Sequence, residues 1–182
     1  QCPTCNEIET IEHILTKCKV VGQAEIWGLV EAALLRKAQH SPWITLGTIM
    51  GANLITAPPK NGHARPGTTR LQQILITESA YLIWKIRCER VIERGNDPST
   101  WHSKTEVYNQ WYRAINRRLL SDIALTHPKI PPKKRLDEQK VLNTWSGIIQ
   151  HEDLFPENWI ATAGVLVGKL TPRPGPEQRD NG

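Results

Sequence analysis

Three cysteines and a histidine lie within the first 18 residues of this 182-residue chain. They are spaced Cys2-x2-Cys5-x7-His13-x4-Cys18 and offer three thiolates and one imidazole, the ligands that a tetrahedral Zn²⁺ site takes. Cys2 and Cys5 flank a short turn that can bring two sulfurs onto one ion. His13 and Cys18 can converge on the same ion from a helix if Cys18 lies where the last turn ends. Because four protein ligands leave no open position for water, the spacing predicts a structural zinc knuckle and not a hydrolytic site.

Two other interpretations of the cysteines remain open. Disulfide pairing would leave one of the N-terminal three unpaired or would pair it with Cys88. Alternatively, the three are ordinary reduced thiols and His13 is a solvated helix residue. Cys88 lies within a strongly apolar helical pattern, and we expect it to be a buried core thiol.

Residues 2–18, CPTCNEIETIEHILTKC, resemble the zinc-binding segment that follows the reverse transcriptase and ribonuclease H-like regions of many non-LTR retrotransposon polyproteins. The matching features are the two spaced cysteines, the Glu9-Thr10 pair, His13 with Ile14-Leu15, and Cys18. Residues 78–92, ESAYLIWKIRCERVI, resemble the Trp-x2-Arg helix of the same elements, and with TWSGII around Trp145 they look most like fungal versions. The resemblance reaches to about residue 150, although its specific motif is confined to residues 2–18.

The resemblance implies the C-terminal part of a mobile-element polyprotein, in active or decayed form. Gln1 in place of an initiator methionine leads to the same expectation. It also implies that the upstream polymerase or ribonuclease H region is a partner, and that the protein is intracellular and nuclear. The basic cluster KIPPKKR at residues 129–135 is typical of nuclear proteins.

Apolar periodicity predicts a mainly α fold in which most helices surround one central helix. A knuckle helix over residues 6–18 would start at Asn6, with Glu9 completing a capping box. The central helix, residues 69–94, would bury the series Ile74, Tyr81, Cys88 and the series Thr77, Trp84, Val91. Ser103 and Glu106 predict a capped helix to about residue 125, and another helix is expected over 136–150. The resulting organisation is a zinc knuckle (1–20), a helical segment (21–50), a loop or linker (51–68), a helical core (69–155) and a mostly irregular tail (156–182), disordered from Thr171 onward.

The net charge is +5 and the basic excess is concentrated in residues 101–150, with nine basic against four acidic residues. Arg113, Asn116 and Arg117 share one side of the predicted helix. The basic residues of this region that we expect to meet phosphates are Arg113, Arg117, Arg118, Lys129, Lys133, Lys134 and Arg135. A solvated helix face followed by an exposed loop explains the same residues equally well.

The seven tryptophans could pack in the core or stack on unpaired bases. Those within helical patterns are expected in the core: Trp27, Trp84, Trp111 and Trp145. Those at element edges are candidates for stacking or partner docking: Trp43, Trp101 and Trp159.

The acidic residues do not form the carboxylate cluster that two Mg²⁺ ions require. We expect them to be solvated or to cap helices: Asp97, Glu106, Asp122, Asp137 and Glu138. We also expect the scattered histidines, His102 among them, at the surface or at helix caps. No run of about 18 apolar residues predicts a membrane span. The chain is therefore expected to be non-catalytic in itself: a zinc-stabilised accessory region that binds RNA or DNA, or alternatively a protein-interaction module or a non-functional relic.

Overall fold

The computed structural model describes residues 1–169 and confirms that the protein is mainly helical, with no β-strand in that range. Its α-helices are α1 (Gln23–Ala38), α2 (Leu46–Met50), α3 (Pro66–Cys88), α4 (Lys104–Ala124) and α5 (Glu138–Trp145). Short 3₁₀ turns span Ala52–Leu54, Pro98–Thr100 and Glu152–Leu154, and π turns span His13–Lys17 and Glu89–Glu93. No helix of this part of the chain combines the length and apolarity that crossing a membrane requires.

Helix α3 is the central element and packs against α1, α4 and α5. It begins at Pro66, whose fixed φ and missing N–H suit the first turn of a helix. The start lies inside the segment that the sequence suggested as a loop. At the next position, a Cβ on Gly67 would lie 2.2 Å from the carbonyl oxygen of Asn143, so only glycine lets α3 approach α5 this closely.

The buried face of α3 differs from the one expected. Ile74 is buried, but Tyr81 is 67% exposed and Trp84 is 41% exposed, so the core positions expected for these two aromatic residues are wrong. Cys88, at the end of the helix, is only partly buried and is not the core thiol expected. Helix α3 contacts α1, α4 and α5, and the positions that it buries do not follow either of the two expected seven-residue series. The side chains that α3 does bury include Leu71, Leu75, Ile76, Leu82, Ile83 and Ile86.

Helix α4 has the capping box that its sequence predicts. The Ser103 hydroxyl accepts from the Glu106 N–H at 3.2 Å, and the Glu106 carboxylate accepts from the Ser103 N–H at 2.6 Å. Its buried side includes Trp111, whose indole N–H donates to the Ser79 hydroxyl on α3 at 2.9 Å. This bond satisfies a buried polar group on each helix.

A buried ion pair joins α3 to α4. Asp122 is 1% exposed, and its carboxylate accepts from the Arg70 guanidinium at 2.6 and 2.8 Å and from the Trp145 indole at 2.9 Å. The expectation that Asp122 is solvated is therefore wrong. The expectation for His102 is wrong too, because that residue is 4% exposed and its ring lies 2.9 Å from the Glu89 carboxylate.

Residues 146–169, which follow α5, have little regular structure but pack on the core. The Asn116 side chain accepts from the Val167 N–H at 2.7 Å and donates to the Val167 carbonyl at 3.1 Å. Asn116 is therefore not free on the basic side of α4. Trp159 is 1% exposed, so its assignment as an exposed stacking or docking residue is wrong. The disordered tail expected from Thr171 onward lies outside the described residues.

Candidate metal centre

The first ligand pair is held by a tight turn. The Cys2 N–H donates to the Glu7 carbonyl at 2.8 Å and the Asn6 N–H donates back to the Cys2 carbonyl at 2.9 Å. Asn6 has φ of 55°, a left-handed conformation that asparagine tolerates and that closes the turn. The expected helix start at Asn6 is therefore wrong, because this residue has the opposite backbone hand.

The knuckle helix starts later, immediately after Thr10. The Thr10 hydroxyl accepts from the His13 N–H at 3.1 Å, and the Thr10 carbonyl accepts from the Ile14 N–H at 3.0 Å. The following π turn closes when the Cys18 N–H donates to the His13 carbonyl, five residues back, at 2.8 Å. Cys18 then leaves the helix in an extended conformation, as the spacing of the ligands suggested.

The four side chains converge. The ligand atoms of Cys2, Cys5, His13 and Cys18 all lie within 4.8 Å of one another, close enough to bind a metal ion. The sulfurs of Cys2 and Cys18 are 3.8 Å apart. Two sulfurs at the corners of a tetrahedron with metal–sulfur bonds of about 2.3 Å would be about 3.8 Å apart, so the observed separation matches that geometry.

The orientation of His13 independently supports a metal site. Its Nδ1 lies 3.0 Å from the Glu7 carboxylate, while its Nε2 is buried and has no hydrogen-bond partner in the protein. A buried nitrogen without a partner is costly unless another group binds it. A carboxylate on one ring nitrogen of histidine is the usual means of presenting the other nitrogen to a metal.

The Cys2 and Cys18 thiols have different pKa values in the metal-free protein. Burial raises the pKa of Cys2, but hydrogen bonds from the backbone, that of Cys5 first, outweigh it and lower that pKa to about 7. Burial, followed by the neighbouring Cys2 sulfur, raises the pKa of Cys18 to about 11. Deprotonation of all three thiols around one point requires a positive charge there, and a bound metal ion supplies it.

Glu9 fastens the knuckle to the end of α3 and to the π turn that follows it. Its two carboxylate oxygens accept from Arg87 and Arg90, each at 2.7 Å. Burial alone would raise the pKa of Glu9, but the hydrogen bond from Arg87 and the two positive charges hold it below its usual value. The predicted capping role of Glu9 is therefore wrong. Arg90 is 3% exposed and its guanidinium lies 5.4 Å from the centre of the Trp101 ring.

The predicted phosphate-binding residues lie on α4 and on the loop that follows it. Arg113 and Arg117 are exposed on α4, whereas Arg118 pairs with Glu78 and Asp122, each at 3.5 Å. The loop residues are all exposed: Lys129, Lys133, Lys134 and Arg135.

Sequence reasoning missed the contributions of Glu7, Glu9 and the Arg87/Arg90 pair. Arg87 and Arg90 are three apart on one helix, the spacing at which two side chains lie side by side. That spacing, together with the acidic residues between the predicted metal ligands, could have indicated an ion pair between the two segments. It does not identify which carboxylate pairs with which arginine.

No model of a known protein family matches the chain, and neither curated proteins nor solved structures give a match.

Proposed function

We propose that the protein is a zinc-stabilised helical module that binds nucleic acid, as an accessory region of a retrotransposon-type reverse transcriptase polyprotein. It catalyses no reaction by itself. Zinc orders the N-terminal segment, and basic side chains elsewhere contact phosphates. The distribution of unpaired positive charge along α4 and the loop after it carries this proposal.

The choice of zinc rests on the ligand set. Three thiolates and one imidazole suit Zn²⁺ better than the oxygen-seeking Mg²⁺ or Ca²⁺. Four protein ligands complete a tetrahedron, so the metal is structural and activates no water. Residues 1–10 contain no helix and bury little apolar surface, which explains why a metal would be needed to hold this segment.

The nucleic-acid interface rests on charge that the fold leaves uncompensated. Within residues 1–169, Arg113 and Arg117 form no ion pair. The same holds in this range for the side chains of Lys129, Lys133 and Lys134. The loop follows α4 directly, so these charges occupy one continuous stretch of chain. Exposed cations without carboxylate partners are available to phosphates, and each phosphate that binds releases counterions.

A second candidate function is supported by a different surface. Trp43 is 91% exposed, Met50 is 76% exposed and Leu54 is 86% exposed, all within one short segment around α2. Exposed large apolar residues grouped in this way are typical of protein–protein contacts. This segment is the candidate for docking on the polymerase or ribonuclease H region of the same polyprotein.

Metal content tests the first half of the proposal. We expect about one Zn²⁺ per chain by mass spectrometry, because one tetrahedral site is complete. The double variant Cys5→Ser/His13→Ala should lose the metal together with the circular dichroism of the knuckle helix. Absence of zinc from the wild-type protein, with an unchanged spectrum in the variant, would refute the metal assignment.

Salt-dependent binding tests the second half. The triple variant Lys129→Gln/Lys133→Gln/Lys134→Gln should bind RNA and DNA more weakly than wild type, with a smaller dependence of the binding constant on salt. A protein-docking module would instead bind the polymerase or ribonuclease H region with the same affinity after these changes, and would show no salt-dependent nucleic-acid binding.

A further inference from the structure

A groove of about 600 Å³ lies between α3 and α4. Its volume is within the range of small-molecule sites, about 300–1,000 Å³. Its lining includes the apolar side chains of Leu82 and Leu125 and the polar side chains of Gln110 and Ser121. The loop that carries the predicted phosphate-binding lysines begins just beyond Leu125, at one end of the groove.

Most charges along the groove are neutralised within the protein. Glu78 pairs with Arg118 at 3.5 Å, and Glu89 pairs with Lys85 at 3.4 Å and with His102 at 2.9 Å. Burial opposes the ionisation of Glu89, but the bonds from His102 and Lys85 outweigh it and hold its pKa below the usual value. Each lining acid therefore has a basic partner, since Asp122 is paired with Arg70.

Two lining cations have no such partner among residues 1–169. Arg113 and Arg117 are exposed, line the groove and are one helical turn apart, which places their Cβ atoms about 5–6 Å from each other. Two guanidinium groups at that spacing repel each other unless anions lie between or against them. The groove therefore has a local positive charge that no carboxylate of residues 1–169 neutralises.

An aromatic side chain faces the same space. Tyr81 lines the groove and is 67% exposed, although its position on a long apolar helix predicted that it would be buried. An exposed aromatic ring offers a flat face on which an unpaired base can stack. A duplex keeps the faces of its bases inside the stack and presents only edges and phosphates, so Tyr81 has no use in duplex binding.

We infer that the groove between α3 and α4 binds a single-stranded oligonucleotide segment, with phosphates on Arg113 and Arg117 and one base stacked on Tyr81. The inference rests on the proposed function and names the surface that the nucleic acid occupies. RNA and DNA share the phosphate and base chemistry used here, and the test includes both.

The test is fluorescence anisotropy of the full zinc-loaded chain with fluorescently labelled single strands of about 12 nucleotides, a length within known site sizes. Uridine and thymidine homopolymers give the RNA and DNA arms, and a duplex of equal length gives the comparison. Tyr81→Ala should weaken single-strand binding by about five- to a hundredfold, and Tyr81→Phe should retain it. Arg113→Gln/Arg117→Gln should lower the affinity and reduce the salt slope by about 0.7 for each phosphate that the variant no longer binds.

Tyr108→Ala provides the matched control, because Tyr108 is an exposed tyrosine on α4 that does not line the groove. It should leave binding unchanged. Circular dichroism should show wild-type helicity for Tyr81→Ala, since a side chain this exposed contributes little to the core.

The outcomes separate this inference from the proposed function. Equal binding by Tyr81→Ala and wild type, with binding abolished in the Lys129/Lys133/Lys134 variant, overturns the groove but leaves nucleic-acid binding in place. A duplex bound as tightly as the single strands overturns the groove as well. No binding of any oligonucleotide by the wild-type protein overturns both.

Discussion

Replacement of Glu9 by glutamine should destabilise the protein strongly, because this carboxylate is the counterion of two arginines. The side chain of Arg90 is 4% exposed, that of Glu9 is 13% exposed and that of Arg87 is 25% exposed. Glutamine keeps the shape but carries no charge, and its amide group would point N–H donors at the donors of one arginine. Arg90 would then be a buried cation without a counterion.

The structure sets the size of the effect. Removal of one partner of a buried ion pair costs about 3–5 kcal/mol, and the partial exposure of Arg87 reduces this to about 2–4 kcal/mol for Glu9→Gln. Glu12→Gln is the matched control, since Glu12 lies in the same segment and pairs with Lys17 at 2.8 Å with both side chains about half exposed. An exposed pair contributes about 0–1 kcal/mol.

The assay is urea unfolding followed by circular dichroism, with the free Zn²⁺ concentration held constant because metal binding adds to the measured stability. Equal slopes of the unfolding free energy against urea would show that the variants unfold by the same transition. If the unfolding free energies of Glu9→Gln and Glu12→Gln agree within about 0.5 kcal/mol, Glu9 does not fasten the knuckle and the argument fails.

Three further changes have expected outcomes by the same unfolding assay. Asp122→Asn should cost about 3–5 kcal/mol because it leaves the charge of Arg70 uncompensated in the core. Gly67→Ala should cost about 1–3 kcal/mol because the added methyl collides with the α5 backbone. The pKa of Glu89 lies below its usual value in the folded state, so its contribution is complete above about pH 4.3 and is lost as the pH falls through the folded pKa. The stability difference between wild type and Glu89→Gln should therefore shrink on acidification.

Each of these has its own check. Asp153→Asn lies on an exposed turn and should cost under about 0.5 kcal/mol; an equal loss would contradict the buried-pair argument for Asp122. Gly28→Ala, exposed within α1 and with open space around its Cβ, should stabilise by about 0.5–1 kcal/mol, and a loss there as large as at Gly67 would contradict the steric argument. A stability difference at Glu89 that grows below pH 4 would contradict the direction given for its pKa.

Local signals in the sequence were sufficient to predict that Cys2, Cys5, His13 and Cys18 lie together and that the start of α4 is capped. Ligand spacing constrains a turn and a helix that lie next to each other in the chain, and Ser103 and Glu106 interact across one helical turn. The buried face of α3 was harder to predict, because a helix packed against several neighbours buries residues on more than one of its sides. Tyr81 and Trp84 were misassigned for that reason.

Long-range partners could not be read from the pattern at all. Asp122 meets Arg70 over 52 positions of chain, and Glu9 meets Arg87 and Arg90 over 78 and 81. A charged residue on a helix is exposed by default, and only the packing of α3 against α4 places Asp122 against its base. Such pairs become visible only when the helices are assembled.

With zinc bound as proposed, the ion pairs of Glu9 with Arg87 and Arg90 would also make metal affinity depend on the stability of the helical core. Coupling between two sites is reciprocal. If metal binding stabilises the docking of the knuckle on α3, a change that destabilises α3 must therefore reduce the free energy of metal binding by the same amount. A cavity made in α3 at the buried Leu71, 16 residues before Arg87, should then weaken the binding of zinc at the proposed site. With zinc bound as proposed, the knuckle and the helices would form one thermodynamic unit, and a competitive chelator would report on the stability of the core.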